Sequence, residues 1–310
     1  MAKIVVTRWI PDDAVKLLAE AGEVVVSPAD RPLTPEELHE FVAGADAVAG
    51  MLHDRLDGAF ADAAGPGLKV VANVAVGYDN VDVPALAERG VVVTNTPGVL
   101  TDATADLAFG LLLALTRRLG EGERLLRSRT PWSFHLGFLL GSGLQGKTLG
   151  IVGYGQIGRA MAKRAEAFGM EIVHSGRPGR GSVSFEELLV RSDVVSLHCP
   201  LTPETRHLID AAALRAMKPG AYLVNTTRGP VVDEAALADA LEAGEIAGAA
   251  LDVFEKEPEV EPRLLGRDDV VVSPHLGSAT VETRTAMAVL AARNVAAVLA
   301  GRDPLTEVKP

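Results

Sequence analysis

The run Thr148-Leu149-Gly150-Ile151-Val152 leads straight into Gly153-Tyr154-Gly155-Gln156-Ile157-Gly158 and then into a helical pattern, and nothing else narrows the fold of this chain so far. In a strand that ends in G-x-G-x-x-G and opens a helix, the first glycine permits a tight turn. The second lets backbone approach a pyrophosphate, and the third lets helix and strand pack closely. The pattern alone is weak. Its context makes it strong: 147–152 reads as a buried strand, 159–168 as an amphipathic helix and 171–175 as the next strand. The expectation is a dinucleotide site on Gly153, Gly155 and Gly158.

At the end of the second strand an NAD site normally carries Asp or Glu to accept from the ribose diol. Here that position is Gly176, flanked by Ser175, Arg177, Pro178, Gly179 and Arg180. The carboxylate is missing, and two guanidinium groups stand where a 2′-phosphate would arrive, binding phosphate as a fork where a carboxylate would repel it. This favours NADP, with NAD as the second choice. The rival reading is that the arginines only solvate a loop, and it weighs more for Arg180 than for Arg177.

A chain of 310 residues, 48% of them hydrophobic, is enough for two buried cores. A formal net charge of −11 argues against nucleic acid or an anionic membrane as partner, since either needs a basic face. Arg159, Lys163 and Arg164 read as a solvated helix face. Cys199 is the sole cysteine, so no intrachain disulfide is possible and a reducing compartment is expected. Met1-Ala2-Lys3 runs directly into a strand pattern with no leader expected, and the longest apolar run, 107–115, is too short for a bilayer. The protein is expected to be cytoplasmic.

Strand patterns at 4–7, 24–27, 47–49, 69–73 and 91–95 alternate with helices starting near Pro11, Thr34 and Asp82. Strands separated by helices imply parallel pairing through right-handed crossovers, hence an open doubly wound sheet. After a hinge at 95–98, residues 101–127 read as one long helix. Its apolar surplus suits either a subunit interface or burial between two domains. Residues 128–146, with Trp132, Phe134 and Phe138, have no clear period and read as an arm to a second subunit. Strands at 148–152, 171–175, 194–198, 221–225, 247–251 and 270–273 complete a dinucleotide-binding domain, and a last helix over 282–300 returns to the first domain. The fold class is α/β, two doubly wound parallel-sheet domains: a discontinuous, flavodoxin-like substrate domain of 1–98 plus 284–310 and a Rossmann cofactor domain of 99–283.

Ligands in such sheets gather outside the carboxyl ends of the strands. Three reactive side chains lie there: Arg228 in Thr226-Thr227-Arg228-Gly229, Glu257 before Pro258, and His275 in Pro274-His275-Leu276-Gly277. Reduction of an α-keto acid needs a cation for the carboxylate and carbonyl oxygen, an acid to protonate the developing alkoxide, and a carboxylate to favour that acid's charged form. Singly, each has a plainer reading: a helix-cap ion pair, a solvated loop charge, a satisfied turn residue. His174 and His198 also end strands, but beside the nucleotide turn, where adenosine contact is the more natural role. No Cys/His cluster has metal spacing.

These residues, together with Ala75-Val76-Gly77-Tyr78-Asp79-Asn80-Val81-Asp82, Leu197-His198-Cys199-Pro200-Leu201-Thr202 and Ala250-Leu251-Asp252-Val253-Phe254, resemble the D-isomer-specific 2-hydroxy acid dehydrogenases over essentially the whole chain. The resemblance implies that Arg228, Glu257 and His275 are catalytic and that the amides of Val76 and Gly77 hold a substrate carboxylate. It implies that Gly155, Gln156 and Ile157 cradle the pyrophosphate, that Pro200 and Thr226 line the cofactor, and that Asp252 and Gly277 meet its nicotinamide end. Asp233 matches as a helix N-cap. Within the family, His275 to Thr280 with Thr283, Arg284 and Met287 is most similar to glyoxylate and hydroxypyruvate reductases, and the Ser175-Gly176-Arg177 turn to their NADP-using members. Around Trp132 the chain departs from them, with Phe134 where a further tryptophan is common. The expected protein is a homodimeric reductase of small 2-keto acids that closes its domains over the substrate. Its rivals are an NAD-linked phosphoglycerate or lactate dehydrogenase and a nucleotide-sensing, corepressor-like binding protein.

Overall fold

Strands buried along their whole length need helices on both faces of the sheet, and the apolar runs of this chain resolve in that way. The computed structural model describes residues 1–176 and 178–310, so Arg177 lies outside the described residues. The chain divides into one unit of Met1–Leu100 with Ser278–Pro310 and another of Thr101–Gly277.

The first unit starts β1 (Lys3–Val6), α1 (Asp12–Ala21), β2 (Glu23–Val26), α2 (Pro35–Val42), β3 (Ala47–Gly50), α3 (Gly58–Ala64), β4 (Val70–Asn73), α4 (Val83–Ala87) and β5 (Val92–Thr94). α2 begins with a capping box in which Thr34 accepts from the Glu37 amide and Glu37 accepts from the Thr34 amide. α3 was not expected from the sequence. It is seven residues long, capped by Asp57 accepting from Phe60 N at 3.0 Å, and it buries Phe60 completely.

The second unit runs α5 (Thr101–Thr116), α6 (Leu119–Arg127), β6 (Thr148–Val152), α7 (Gln156–Ala167), β7 (Glu171–Ser175), α8 (Phe185–Arg191), β8 (Val194–Leu197), α9 (Ala211–Ala216), β9 (Tyr222–Asn225), α10 (Glu234–Ala243), β10 (Gly248–Leu251) and β11 (Val270–Val272). Its sheet order is β11-β10-β9-β8-β6-β7, every pair parallel. A lone parallel bridge between His174 and Ser182 extends it beyond β7, so the outer strand of the dinucleotide fold is reduced to one residue pair.

Residues 101–127 are two helices, not the single one expected. Ser142 N donates to Thr116 O at 2.7 Å, so the returning chain takes the carbonyl that a longer helix would use, and Arg118 turns left-handed with φ 52°. The apolar surplus of α5 also has a local use: Ala108, Phe109, Leu111, Leu112 and Leu115 share a core with Leu149 and Ile151 of β6 and Met161 of α7. Residues 128–146 hold no helix or strand, and there Trp132 stacks on Phe138 with ring centroids 5.8 Å apart.

The chain then returns to the first unit as α11 (Val281–Leu299) and β12 (Glu307–Val308). Ala288, Ala291, Ala292 and Val295 of α11 pack with Ile4 and Val6 of β1 and Ala14 and Leu18 of α1. The sheet order is β12-β5-β4-β3-β1-β2, with β12 antiparallel on the edge and the rest parallel, the flavodoxin-like order. Fully buried Asn294 holds the return: its Oδ1 accepts from Leu305 N (2.8 Å) and Thr306 N (3.1 Å), and its Nδ2 donates to Thr306 Oγ1 (2.7 Å). Asn294→Ala would strand two amides, and a loss of about 2–4 kcal/mol is expected from urea unfolding. An unchanged midpoint would show that water replaces the clamp without cost.

Candidate active site

β6 has β7 on one side and β8 on the other, so the chain reverses direction across the sheet at its carboxyl end, where such sheets bind ligands. Gly153 sits there at φ 92°, and a Cβ on it would lie 2.6 Å from Cys199 N. Only glycine lets the β6 turn pass so close to the end of β8. A Cβ on Gly158 would lie 2.4 Å from Gly153 O, which explains how α7 closes on the turn.

The first intrahelical bond of α7 runs from Arg159 N to Gly155 O (3.1 Å), so the amides of Gln156 and Ile157 point out of the helix end. A Cβ on Gly155 would meet nothing within 4 Å, and Thr226 Oγ1 is buried with no hydrogen-bond partner among the described residues. An open approach to a helix N-terminus and an orphaned hydroxyl both fit a bound dinucleotide.

At the β7 end Ser175 is buried and Gly176 takes φ 113°. Arg180 is exposed, and its carbonyl faces His174 Nε2 at 3.1 Å, while the His174 ring stacks on Tyr154 at 3.8 Å. Arg177, on which the preference for NADP mainly rests, falls outside the described residues. Arg164 is not a plain solvated residue: it pairs with Asp106 (2.6 Å) and Asp102 (3.1 Å) of α5. Past β8, burial pushes the His198 imidazole down to about 4, so it is neutral at physiological pH, and its Nε2 lies 2.9 Å from Ser196 Oγ. Pro200, exposed, follows at the same strand end.

A second set of side chains extends from β9, β10 and β11. Asp252, fully buried at the end of β10, accepts from Ser273 Oγ (2.5 Å) and Leu276 N (2.7 Å) on Oδ1 and from Gly277 N (2.8 Å) on Oδ2. Burial pushes its carboxyl up, and these donors pull it back. They tie down a turn in which His275 is left-handed, φ 53°. His275 Nδ1 lies 2.9 Å from Glu257 Oε2, and Glu257 Oε1 accepts from Phe254 N at 3.1 Å. The pair is partly buried, with side-chain exposures of 26% and 21%, so it is shielded from bulk water on most sides yet open to a small molecule. Arg228 leads into a 3-10 turn over Gly229–Val231, and Asn225 Nδ2 holds its carbonyl at 3.0 Å. A Cβ on Gly229 would lie 1.8 Å from the carbonyl carbon of Phe254, so this turn rests directly on the chain that carries Glu257.

Val76 and Gly77 lie in the first unit, past β4. Asn95 Nδ2 donates to Val76 O at 2.8 Å and Asn73 Nδ2 to Gly77 O at 2.9 Å. Fixing the Val76 carbonyl directs the trans-related Gly77 N–H the opposite way. Asn80 braces the loop by donating to Asp54 O (2.9 Å) and Met51 O (3.2 Å). The three asparagines were missed as supports; Asn73 and Asn95 at strand ends and Asn80 in the turn were the available signal. Among the described residues no group of His, Cys, Asp or Glu could hold a metal, and no helix is long and apolar enough to cross a membrane.

A parallel sheet with a glycine turn at its reversal point and an imidazole–carboxylate pair at neighbouring strand ends defines a dinucleotide-dependent oxidoreductase. Residues 109–277 match the model of the D-isomer specific 2-hydroxyacid dehydrogenase NAD binding domain. The glyoxylate reductase of Thermococcus litoralis is 46% identical over 97% of this chain and 95% of its own. The TT0316 protein from Thermus thermophilus superposes with a TM-score of 0.94 at 47% identity, covering 99% of both chains. An NADPH-dependent glyoxylate/hydroxypyruvate reductase from Sinorhizobium meliloti, solved with NADP and malonate, gives 0.86 at 38% identity, covering 99% of this chain and 96% of its own. The chain belongs to the D-isomer specific 2-hydroxyacid dehydrogenases and is an NAD(P)-dependent enzyme of that family.

Gly153→Ala would add left-handed strain of about 1–2 kcal/mol to the overlap with Cys199. Calorimetric titration with NADPH and NADH should show affinity lower by about tenfold or more. Undiminished affinity would place the pyrophosphate away from this turn.

Proposed function

We propose that this enzyme reduces glyoxylate or hydroxypyruvate to the D-2-hydroxy acid with NADPH. The observation that carries the reading is the contact between His275 and Glu257 past β10 and β11, at the same end of the parallel sheet as the glycine turn. Bound dinucleotide supplies the hydride. With Nδ1–H donated to Glu257, His275 has Nε2 left to give a proton to the carbonyl oxygen, and the Glu257 carboxylate balances the charge of the imidazolium before the proton leaves. Arg228 is the cation for the substrate carboxylate, and the amides of Val76 and Gly77 are its second anchor. Gly153, Gly155, Gln156, Ile157 and Gly158 hold the pyrophosphate, and Ser175, Gly176, Arg177 and Arg180 receive the adenosine end. Pro200 and Thr226 line the cofactor, and Asp252 and Gly277 face its nicotinamide end. Support for NADPH over NADH comes from Gly176 standing where a ribose-binding carboxylate would be, and from the Sinorhizobium relative described as NADPH-dependent.

Steady-state rates on short 2-keto acids with each reduced cofactor test this. NADPH should exceed NADH in kcat/KM, Arg177→Ser should narrow that ratio, and His275→Ala should cut kcat by about 10²–10⁴ while leaving NADPH binding intact. Preference for NADH would reverse the cofactor assignment, near-normal turnover in His275→Ala would remove His275 from its role, and tight cofactor binding without turnover would favour a nucleotide sensor.

A homodimer in a reducing, cytoplasmic setting completes the proposal. α6 and the segment after it expose Leu119, Leu126, Trp132, Phe134, Leu136 and Leu140, and large apolar side chains gathered in one segment support contact with a second subunit. Sedimentation should give a dimer that Trp132→Ser with Phe134→Ser dissociates. A monomeric parent protein would refute it.

A further inference from the structure

Glu257 sits in an irregular strap between β10 and β11, and irregular backbone fixes a side chain only as well as the strap itself is fixed. Both feet of this strap end on one side chain. Glu234, the first residue of α10, accepts from Glu255 N on Oε1 and from Glu261 N on Oε2, the latter at 3.2 Å. Between those feet, Glu259 N closes on Lys256 O at 2.9 Å, and Glu257 reaches back to Phe254 N and across to His275.

Glu234 is only 7% exposed. Several charges surround it. Glu255 is held by His207 (2.7 Å) and Arg206 (3.1 Å), Glu261 by Arg263 (3.0 Å), Arg263 also by Asp239 (2.5 Å), and Asp233 is adjacent in sequence. Burial, with the neighbouring Glu255 and Glu261 carboxylates, pushes the Glu234 carboxyl up, while the two amides pull it down. No cation pairs with it among the contacts of the described residues, so a buried carboxylate stands here for its two acceptor oxygens. An amide side chain offers one acceptor and one donor, and its donor would face a backbone N–H.

We propose that Glu234 is a positioning residue for the reaction: by accepting from both feet of the 255–261 strap, it fixes Glu257 against His275. It touches neither substrate nor cofactor and acts only through the strap. The inference rests on the proposed acid–base role of that pair, and the experiment separates the two.

Hydrogen exchange and NMR on the dinucleotide-free protein read the clamp without turnover. In Glu234→Gln, the Glu255 and Glu261 amides should exchange at least about tenfold faster, while the Gly277 amide, held by Asp252, keeps its protection. The Nδ1 proton resonance of His275, sheltered by Glu257, should broaden. In turnover, kcat should fall about 10- to 100-fold, as expected for a misplaced catalytic group, with the NADPH Kd within about twofold of the parent. Glu234→Ala should exceed Glu234→Gln in every effect; if the alanine variant does not fold, the near-isosteric glutamine variant decides alone. Parent-like exchange at 255 and 261 together with an unchanged His275 signal would overturn the proposal, as would a raised Kd with parent-like kcat. Loss of protection and broadening in a protein that reduces no keto acid would sustain the clamp and refute the reductase reading.

Discussion

The turn that carries His275 depends on one buried carboxylate. Left-handed backbone at a residue with a Cβ costs about 1–2 kcal/mol, and His275 adopts it. Asp252 supplies the compensation, since hydrogen bonds to a charged acceptor contribute about 1.5–3 kcal/mol each, and it receives three from the same turn, through Ser273, Leu276 and Gly277. The backbone adds His275 N to Asp252 O at 2.8 Å. These bonds hold the turn in a left-handed shape that its residues would not choose alone, and the imidazole is aimed by it.

Parallel pairing explains how residues far apart in sequence reach the same end of the sheet. β9, β10 and β11 run the same way, so Arg228, Asp252 and His275 follow strands that all finish on one side. β6 and β8 run with them and bring the glycine turn and the His198–Cys199 peptide to that side as well. The narrow approach at Gly153 and the contact of Gly229 with Phe254 are where this convergence becomes so tight that no side chain fits.

Much of this was legible because the signals were local. Fully buried strands appear as short β-branched runs, and those at β6 and β7 fall on the expected residues. The glycine turn, Arg228, Glu257 and His275 could be placed because each follows a recognisable strand. What escaped was set by the returning chain or by packing. α5 stops where Ser142, well downstream, claims the Thr116 carbonyl. α3 is a single short run of small residues around Phe60, and β12 is two residues long, held in place by Asn294 on a helix. Glu234 was not singled out, because nothing in the sequence reveals that the amides of residues 255 and 261 arrive at its two oxygens.

Asp252 and Glu234 therefore divide the work of holding one hydrogen-bonded pair. Asp252 fixes the turn that carries the imidazole, and Glu234 grips the strap that carries its carboxylate partner. In those contacts each buried carboxylate is satisfied by amides and, for Asp252, a hydroxyl, which orient the chain they bind. The contact of Gly229 with Phe254 adds Arg228 to the same backbone assembly. All of these links lie inside residues 101–277, so the His275–Glu257 geometry is built within one unit.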